Sequence, residues 1–337
     1  MKKLLTIVLS LVMVMSMTAV SFAYVQPTTD AEGNVTYIDE STIVVSKTYK
    51  ATNTGTISPA ETFNFTKLTC TDVTDAASGV NTTNAPVPTI GSVTYAAGEA
   101  GGENATKNIT ITLPEYTSVG VYTYTFSEVD GGTAGVDYHK ETIKLVVTVI
   151  EQDGKVRVAA VHTEKDGEAK SGAFDNVYSA GSLAVSKKVT GLLGDQSKEF
   201  TVKVIFTAPE GDTVREAITY TDGTAKSIEA GWTGTKEVEI VLTHDETVTF
   251  ANIPYGVTYT VEENDYTGDG YDAAKYDGNQ NGKIKAAAVS TEITNNKGAT
   301  IDTGIILDNG LYIVLLAGVA VAAGMFFMKR RQDDYDM

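Results

Sequence analysis

The sequence predicts an all-β protein, with two tandem antiparallel β-sandwich domains. Three observations predict this. Apolar and polar residues alternate with a period of two in many segments, clusters of Gly, Asn and Asp separate these segments, and no convincing amphipathic helical pattern precedes the C-terminal apolar run. Short strands divided by turn residues are typical of antiparallel sandwiches. The clearest alternating segments are residues 43–49, 61–66, 121–128 and 142–149.

Both ends of the chain lie outside the predicted domains. Residues 1–23 have the pattern of a secretory signal peptide, in which two lysines precede an uncharged apolar run and Ser21-Phe22-Ala23 forms a small-x-small cleavage site. Residues 310–328 form a second uncharged apolar run, long enough to span a bilayer as a transmembrane helix. The basic residues 329–331 follow and would hold that end in the cytoplasm. The sequence therefore predicts an exported protein, membrane-anchored at its C-terminus.

The net charge limits the kinds of partner that the chain can bind, and the cysteine content limits the kinds of covalent cross-link that it can form. The chain has 26 basic and 43 acidic residues, a net charge of −17, which repels phosphate backbones and excludes a nucleic-acid partner. Cys70 is its single cysteine, so no disulfide can form within the chain. We interpret Cys70 as a small buried apolar residue, the alternative being a reactive or intermolecular thiol. Any covalent cross-link in this exported chain must therefore use other side chains.

An internal repeat divides the chain into two halves of one plan. Each half has an early strand ending in Val-Ser-Lys, a tyrosine-containing strand that ends in Glu, and a last strand with an apolar-x-Asn pattern. The matching segments are 45–47 and 185–187, 122–128 and 259–263, and 174–176 and 293–295. The predicted organisation is a signal peptide at 1–23, a first domain at 24–180, a second at 181–298 and a sorting signal at 299–337. The first domain is expected to carry extra loops at 71–88 and 96–104.

Lysine, glutamate and asparagine recur in the same order, on the first, a middle and the last strand of each half. The first set is Lys47, Glu128 and Asn176, and the second is Lys187, Glu263 and Asn295. Period-two alternation places all six on apolar faces that point into a core. The neighbouring residues Lys188, Glu262 and Asn296 are the fallback assignments, disfavoured because they fall on the opposite face.

Burial gives these residue types a specific chemistry. A buried lysine or glutamate costs several kcal/mol unless it finds a partner or changes its protonation state. Burial lowers a lysine pKa and raises a glutamate pKa, which produces a nucleophilic amine beside a carboxyl that can shuttle protons. Attack of the amine on a neighbouring asparagine carbonyl, with loss of ammonia, would give an isopeptide bond. The alternative is an ion pair with a hydrogen-bonded asparagine, and the repetition of the whole set favours the bond.

Longer motifs around these residues resemble a known family. They are Ile-Thr-Leu-Pro-Glu-Tyr-Thr-Ser-Val-Gly-Val-Tyr-Thr-Tyr at 111–124, Leu-Ala-Val-Ser-Lys-Lys-Val-Thr-Gly at 183–191, and the segment 248–263 that contains Asn-Ile-Pro-Tyr-Gly. Through them, nearly all of residues 40–337 resembles the T-antigen-type major pilins of Gram-positive bacteria, which are built from immunoglobulin-like, Cna B-type domains with internal isopeptide bonds. The resemblance implies that Lys47 bonds Asn176 with the assistance of Glu128. It implies equally that Lys187 bonds Asn295 with the assistance of Glu263.

The resemblance also implies a sortase signal at the C-terminus. Ile301-Asp302-Thr303-Gly304 stands before the apolar run, so that Thr303 would be acylated to the sortase cysteine and Gly304 would leave. The family usually has a proline before the Thr-Gly pair, where this chain has Asp302, and the sequence does not identify the sortase that reads it. A membrane anchor that is never cut is the alternative.

Covalent polymerisation is the last implication of the resemblance. Thr303 of one subunit would be joined to a lysine of the next identical subunit. The resemblance points to Lys170, six residues before Asn176, with Lys165 as the rival. The implied partners are sortase, identical subunits and peptidoglycan at the cell surface, and a host ligand is not identified. The alternative is a wall-anchored adhesin or stalk that does not polymerise.

Other signals in the sequence do not indicate further chemistry. Residues 277–282 match the opening of a calcium loop, but its twelfth position is Ala288, where a bidentate glutamate is needed. His139, His162 and His244 are isolated and suggest neither a zinc site nor a catalytic triad. The sequence therefore predicts no metal, no cofactor and no turnover enzyme.

Overall fold

A computed structural model describes residues 22–24, 26–38, 41–53, 56–103, 105–165 and 173–299. Within these ranges the chain is all-β, with a 3₁₀ turn at Thr267–Asp269, and the predicted fold class is confirmed at that level. The predicted signal sequence up to residue 21 and the apolar run 310–328 lie outside the described residues. Among the residues that are described, no helix is long and apolar enough to cross a membrane.

The strands that precede residue 179 form two five-stranded sheets and two small ribbons. They are β1 (Phe22–Tyr24), β2 (Gln26–Thr29), β3 (Val35–Ile38), β4 (Thr42–Ala51), β5 (Glu61–Phe63), β6 (Thr69–Thr74), β7 (Thr89–Ile90), β8 (Val93–Tyr95), β9 (Thr106–Thr112), β10 (Gly120–Phe126), β11 (Val136–Asp137), β12 (Ile143–Gln152), β13 (Lys155–Lys165) and β14 (Ala173–Tyr178). The sheet orders are β1-β13-β12-β10-β6 and β11-β14-β4-β9-β7, with ribbons β2-β3 and β5-β8.

The strands that follow residue 179 form a six-stranded and a four-stranded sheet. They are β15 (Ala180–Thr190), β16 (Phe200–Thr207), β17 (Ile218–Asp222), β18 (Thr224–Ile228), β19 (Thr235–Leu242), β20 (Thr247–Pro254), β21 (Thr258–Glu263), β22 (Lys275–Gly278), β23 (Asn281–Lys283) and β24 (Ala288–Asn296). The sheet orders are β18-β17-β20-β15-β24-β22 and β19-β16-β21-β23.

The described chain divides into two compact units. The small unit consists of Val189–Gln196, Asp265–Ala274 and the residues from Asn295 onward, and the large unit holds the rest. All the strands up to β14 therefore lie in the large unit. The predicted domain boundary near residue 180 stays a prediction.

Apolar alternation explains why the sheets have an inner face. On β4, residues 43, 45, 47 and 49 are buried, while the residues between them are exposed or half-buried. The inner faces of the two five-stranded sheets meet through aromatic rings, such as Phe126 of β10 and Phe174 of β14, whose centroids are 5.7 Å apart. Phe206 of β16 and Phe250 of β20 make a similar contact at 5.2 Å between the other two large sheets.

Two local features differ from the sequence predictions. The strands β4 and β14 pair in parallel, with Lys47 opposite Phe174, although an antiparallel arrangement was expected. Between β4 and β14 the chain forms strands of the facing sheet, and β14 then runs in the same direction as β4. The expected loop 71–88 begins as a strand, because Thr69–Thr74 extends the sheet edge beside β10 and buries Cys70.

Candidate cross-linking sites

The first site lies between the two five-stranded sheets. Lys47 is on the inner face of β4, and Asn176 is on the inner face of the adjacent strand β14. Glu128 follows β10 in the facing sheet, where a β-bridge with Phe65 fixes its backbone. The side chains of Lys47 and Glu128 are 0% exposed, and Asn176 is fully buried as well. Parallel pairing thus sets an amine and an amide side by side, and the opposite sheet supplies the carboxyl.

The three side chains form a closed ring of contacts. The Lys47 Nζ donates both to Glu128 Oε2 and to Asn176 Oδ1, and the Asn176 Nδ2 donates to Glu128 Oε1. The amine therefore contacts the carboxamide that it would attack, and the carboxylate contacts both nitrogen atoms whose protons would move. This is the arrangement that amine attack with proton shuttling needs.

Burial also changes the protonation of Lys47. Desolvation lowers the pKa of its amine from 10.5 to about 8, and the nearby Glu128 carboxylate opposes this shift. A substantial fraction of the amine is therefore neutral near physiological pH, and a neutral amine is the nucleophilic form. An uncross-linked Lys47 in this core would be far more reactive than an exposed lysine.

Two members of the second predicted set, Lys187 and Glu263, lie in a similar environment. Lys187 on β15 is buried, and its Nζ lies 3.4 Å from Oε1 of Glu263, the last residue of β21. Both side chains are 0% exposed, and desolvation lowers the pKa of Lys187. The same amine is 3.4 Å from the backbone oxygen of Ile293 on β24. Asn295 lies two residues further along β24 and is 1% exposed.

The fallback residues lie on the other faces of the same strands. Lys188 and Glu262 are exposed, and the Lys188 amine is 4.0 Å from Glu292 in a surface ion pair. Asn296 is half-buried, where it accepts a hydrogen bond from Thr190 and donates one to Asp272. None of these three residues has the fully buried environment of Lys187.

Sequence reasoning missed an aromatic ring over each amine. The Lys47 Nζ is 4.2 Å from the centroid of Phe63, and the Lys187 Nζ is 4.1 Å from that of Phe200. Such rings attract the ammonium form and help to exclude water from the amine. The sequence did contain a signal, because the Val-Ser-Lys segment of each half is followed by a loop and then by a strand with a phenylalanine, Phe63 or Phe200. Only the structure places these rings on the lysines.

The remaining predicted residues fall into two groups. Lys170, Thr303 and Gly304 lie outside the described residues. Lys165, the rival acceptor, ends β13 and forms an ion pair with Glu141. Cys70 is buried, and desolvation raises its thiol pKa.

Within the described ranges, no group of three or more His, Cys, Asp or Glu side chains is placed to hold a metal ion.

Family models of known proteins match both halves of the chain. Residues 43–179 match the family model of a Spy0128-like isopeptide containing domain, and residues 181–297 match one described as a domain of unknown function. A curated pilin of Streptococcus pyogenes serotype M1 is 26% identical over an alignment of 318 positions, which covers 88% of this chain and 92% of that protein.

Solved structures show the same fold. The major pilin protein T3.2 of Streptococcus pyogenes aligns with a TM-score of 0.52 and 19% identity, over 77% of this chain and 99% of that one. Another Streptococcus pyogenes major pilin aligns with a TM-score of 0.51 and 22% identity, over 78% of this chain and 100% of that one.

A sandwich that buries a lysine, a glutamate and an asparagine in one ring of contacts has the fold and the site of proteins that form internal isopeptide bonds. The family match over the same residues agrees with this class. The chain is thus similar to a pilin over most of its length, and residues 43–179, which hold the first site, match the Spy0128-like isopeptide containing domain.

Proposed function

We propose that the chain is the structural subunit of a cell-surface pilus, and that each of its two domains is cross-linked by a Lys-Asn isopeptide bond. The closed contact of Lys47, Glu128 and Asn176 inside a buried core is the observation that carries this proposal. The bond would tie β4 to the last strand of the domain, β14. The domains would comprise residues 24–180 and 181–298, as the internal repeat predicts.

The bond-forming step uses only groups within the site. The neutral Lys47 Nζ attacks the Asn176 side-chain carbonyl carbon, so that a C–N bond forms. Glu128 takes a proton from the attacking nitrogen and delivers a proton to the leaving amide nitrogen. The old C–N bond breaks, ammonia leaves, and Glu128 is regenerated. Since the product is permanent, Glu128 acts once, and the chain is not a turnover enzyme.

The same chemistry is proposed for Lys187 and Asn295, with Glu263 as the proton shuttle. The 3.4 Å contact between Lys187 and Glu263 and the burial of all three side chains support it. An aromatic ring also lies over the amine in both sites, Phe63 over Lys47 and Phe200 over Lys187. Two such bonds would replace the disulfides that a chain with one cysteine cannot form.

Bond formation in the first domain is expected to accelerate as the pH rises. The Lys47 amine loses its proton at about pH 8 in the folded site, so the nucleophilic form increases tenfold per pH unit below that value and levels off above it. Cell-free synthesis at pH 6, 7, 8 and 9, with mass spectrometry of the first-domain cross-link against time, measures this profile. An Asn176→Ala chain is the blank. A rate that falls between pH 6 and 8 would contradict the proposed nucleophile.

Export and anchoring complete the proposed function. The signal peptide 1–23 would direct secretion, and the span 310–328 would hold the chain in the membrane until sortase acts. Sortase would cleave between Thr303 and Gly304 and join Thr303 to Lys170 of the next subunit or, at the base, to peptidoglycan. Joining of this kind is head-to-tail and does not close, so it produces a filament.

Covalent ladders test the polymer directly. Cells that express the wild-type chain are expected to give SDS-resistant ladders in the cell-wall fraction, because each joint is an amide bond. Replacement of Lys170 by Ala should collapse the ladder to the monomer. Lys165→Ala is the matched control, since Lys165 is engaged with Glu141 at the end of β13. A ladder that survives Lys170→Ala and disappears in Lys165→Ala would move the acceptor to Lys165.

The same experiment distinguishes the pilus from a singly anchored protein. A wild-type chain that is present in the cell wall only as a monomer would indicate the non-polymerised adhesin or stalk. The internal isopeptide bonds are independent of that outcome, because they need no sortase.

A further inference from the structure

Two adjacent leucines stand exposed on a short loop that follows β15. Leu192 is 82% exposed, the highest exposed fraction among the large apolar residues that the structure describes, and Leu193 is 56% exposed. They form the centre of the sequence Gly191-Leu192-Leu193-Gly194, which we call the leucine tip. The tip contains no charged or polar side chain. Such a pair is costly to leave in water unless something covers it.

The leucine tip is attached to the C-terminal end of the described residues, next to Lys297. The backbone N–H of Leu193 donates to the Lys297 oxygen at 3.0 Å, and the Lys297 N–H donates to the Thr190 oxygen at 2.9 Å. Gly191 has φ +91°, and a Cβ there would lie 2.3 Å from the Lys297 oxygen, so this close approach requires glycine. Backbone hydrogen bonds therefore hold the leucine tip against Lys297, the residue that follows β24.

Lys297 is itself fixed within the same small unit. Its Nζ donates to the Asp269 oxygen at 2.7 Å and lies 5.2 Å from the ring centroid of Tyr271. The Tyr271 hydroxyl accepts a hydrogen bond from the backbone N–H of Asp195, which follows the tip, at 3.1 Å. These contacts present the two leucines on a preorganised surface beside Lys297.

The length of the remaining chain limits how far away the next subunit can be. Only residues 298–302 separate Lys297 from Thr303, which makes six residue steps between the two. An extended chain covers about 3.3–3.6 Å per residue, so Thr303 reaches at most about 20 Å from Lys297. If Thr303 is bonded to a neighbouring subunit, the surface of that neighbour must come within this distance. The leucine tip, hydrogen-bonded to Lys297, then lies within about the same distance of the joint.

We propose that the leucine tip is a docking surface for a second copy of this chain, the subunit to which Thr303 is joined. The proposal rests on the proposed pilus function and adds to it a non-covalent contact. Leu192 and Leu193 would insert into an apolar part of the neighbour, which would shield the joint and fix the angle between successive subunits. Docking supplies no reacting group to the sortase step, because Thr303 and its acceptor lysine are separate from the tip, but it would hold the two subunits together while they are joined.

Trypsin cleavage after Lys297 tests this proposal. Polymers and unpolymerised 24–303 monomers are compared for the wild type, for Leu192→Ser/Leu193→Ser, and for Val241→Ser, a control at a 39% exposed apolar residue of β19. The peptide bond between Lys297 and Gly298 is followed by mass spectrometry. In the wild type and the control, polymerisation is expected to slow this cleavage about tenfold relative to the monomer. The double variant is expected to lose that protection, while its monomer is cut as slowly as the wild-type monomer.

The outcomes separate the docking proposal from the pilus itself. Equal protection in polymers of the wild type and the double variant would overturn the docking surface and leave the pilus intact. A double variant whose monomer is as resistant as the wild type but which no longer polymerises would support docking. Absence of any wild-type polymer would overturn the proposed function, and with it the docking surface.

Discussion

A recombinant chain of residues 24–303 is expected to be lighter than its sequence mass by two ammonia molecules. Each isopeptide bond forms by amine attack on an asparagine carboxamide, and ammonia is the group that leaves. The contacts of Lys47 with both Glu128 and Asn176 predict that the first bond forms without an added reagent. Burial of Lys187, Glu263 and Asn295 predicts the second. Intact-mass spectrometry of the purified, unfolded chain measures both at once.

Single substitutions assign each bond to its own site. Glu128→Ala and Glu263→Ala are each expected to restore the mass of one ammonia molecule, because the carboxyl that shuttles the protons is lost. Glu262→Ala is the matched control, since that carboxylate precedes Glu263 on β21 but is exposed. Glu128→Gln covers the case in which Glu128→Ala fails to fold, because glutamine keeps the shape and hydrogen-bonding capacity but cannot act as a carboxylate base.

An unshifted wild-type mass would contradict the bond-forming mechanism. The two lysines would then be held as buried ion pairs, and the pilin fold would have no internal covalent cross-link. Loss of a single ammonia molecule that Glu128→Ala restores would confine the chemistry to the first site. Peptide mapping across Lys47 and Asn176 would then show a branched peptide at that site alone.

The buried faces were predictable from sequence, because side-chain direction in a strand depends on position alone. Alternation along residues 43–49 put Lys47 with Ile43 and Val45, and the structure buries all three. The same local rule applies to Lys187 on β15. Both lysines follow an identical Val-Ser dipeptide, so the repeat predicts a buried lysine at two independent positions.

Contacts that depend on distant parts of the chain were not predictable in this way. The parallel pairing of β4 with β14 joins residues separated by more than a hundred positions, and no local pattern encodes its direction. The sequence predicts a loop from residue 71, where β6 continues to Thr74, because only Cys70 and the half-buried Val73 mark the inner face of this strand. The leucine tip was missed for a related reason, since its position beside Lys297 is a tertiary hydrogen bond.

Removal of the first cross-link is expected to cost much of the stability of its domain. Asn176→Ala blocks the bond but leaves the Lys47–Glu128 ion pair together. The bond would close a loop of 129 residues, and the chain-entropy relation used for disulfides assigns about 5 kcal/mol to a loop of that size. Calorimetry of the 24–303 chain should therefore show a lower unfolding temperature for the first domain. Hydrogen exchange at the β4 amides provides a local measurement of the same loss.

Glu128→Ala is expected to be less stable still, because it also leaves the Lys47 amine buried without its carboxylate. Removal of one partner from a buried pair costs about 3–5 kcal/mol beyond the missing bond. The Glu128 carboxylate raises the pKa of the free Lys47 amine, so the folded Glu128→Ala variant releases the lysine proton at a lower pH than an uncross-linked site that keeps Glu128. The unfolded lysine keeps its proton up to about pH 10.5. Between the pKa of Lys47 in the folded variant and this value, the unfolded state therefore binds more protons than the folded state. The stability of Glu128→Ala must then rise with pH.

Lys47→Met in the Glu128→Ala background separates the charge from the cross-link. Methionine fills much of the lysine volume without a titratable group, so this double variant should regain stability and lose the pH dependence, yet remain below the wild type by about the 5 kcal/mol of the missing bond. If Asn176→Ala unfolds at the wild-type temperature, the cross-link contributes nothing to folding stability. If the double variant matches the wild type, the loss in Glu128→Ala came from the buried charge alone. The expected order is wild type, then Asn176→Ala, then Glu128→Ala, and the gap between the last two should narrow as the pH rises.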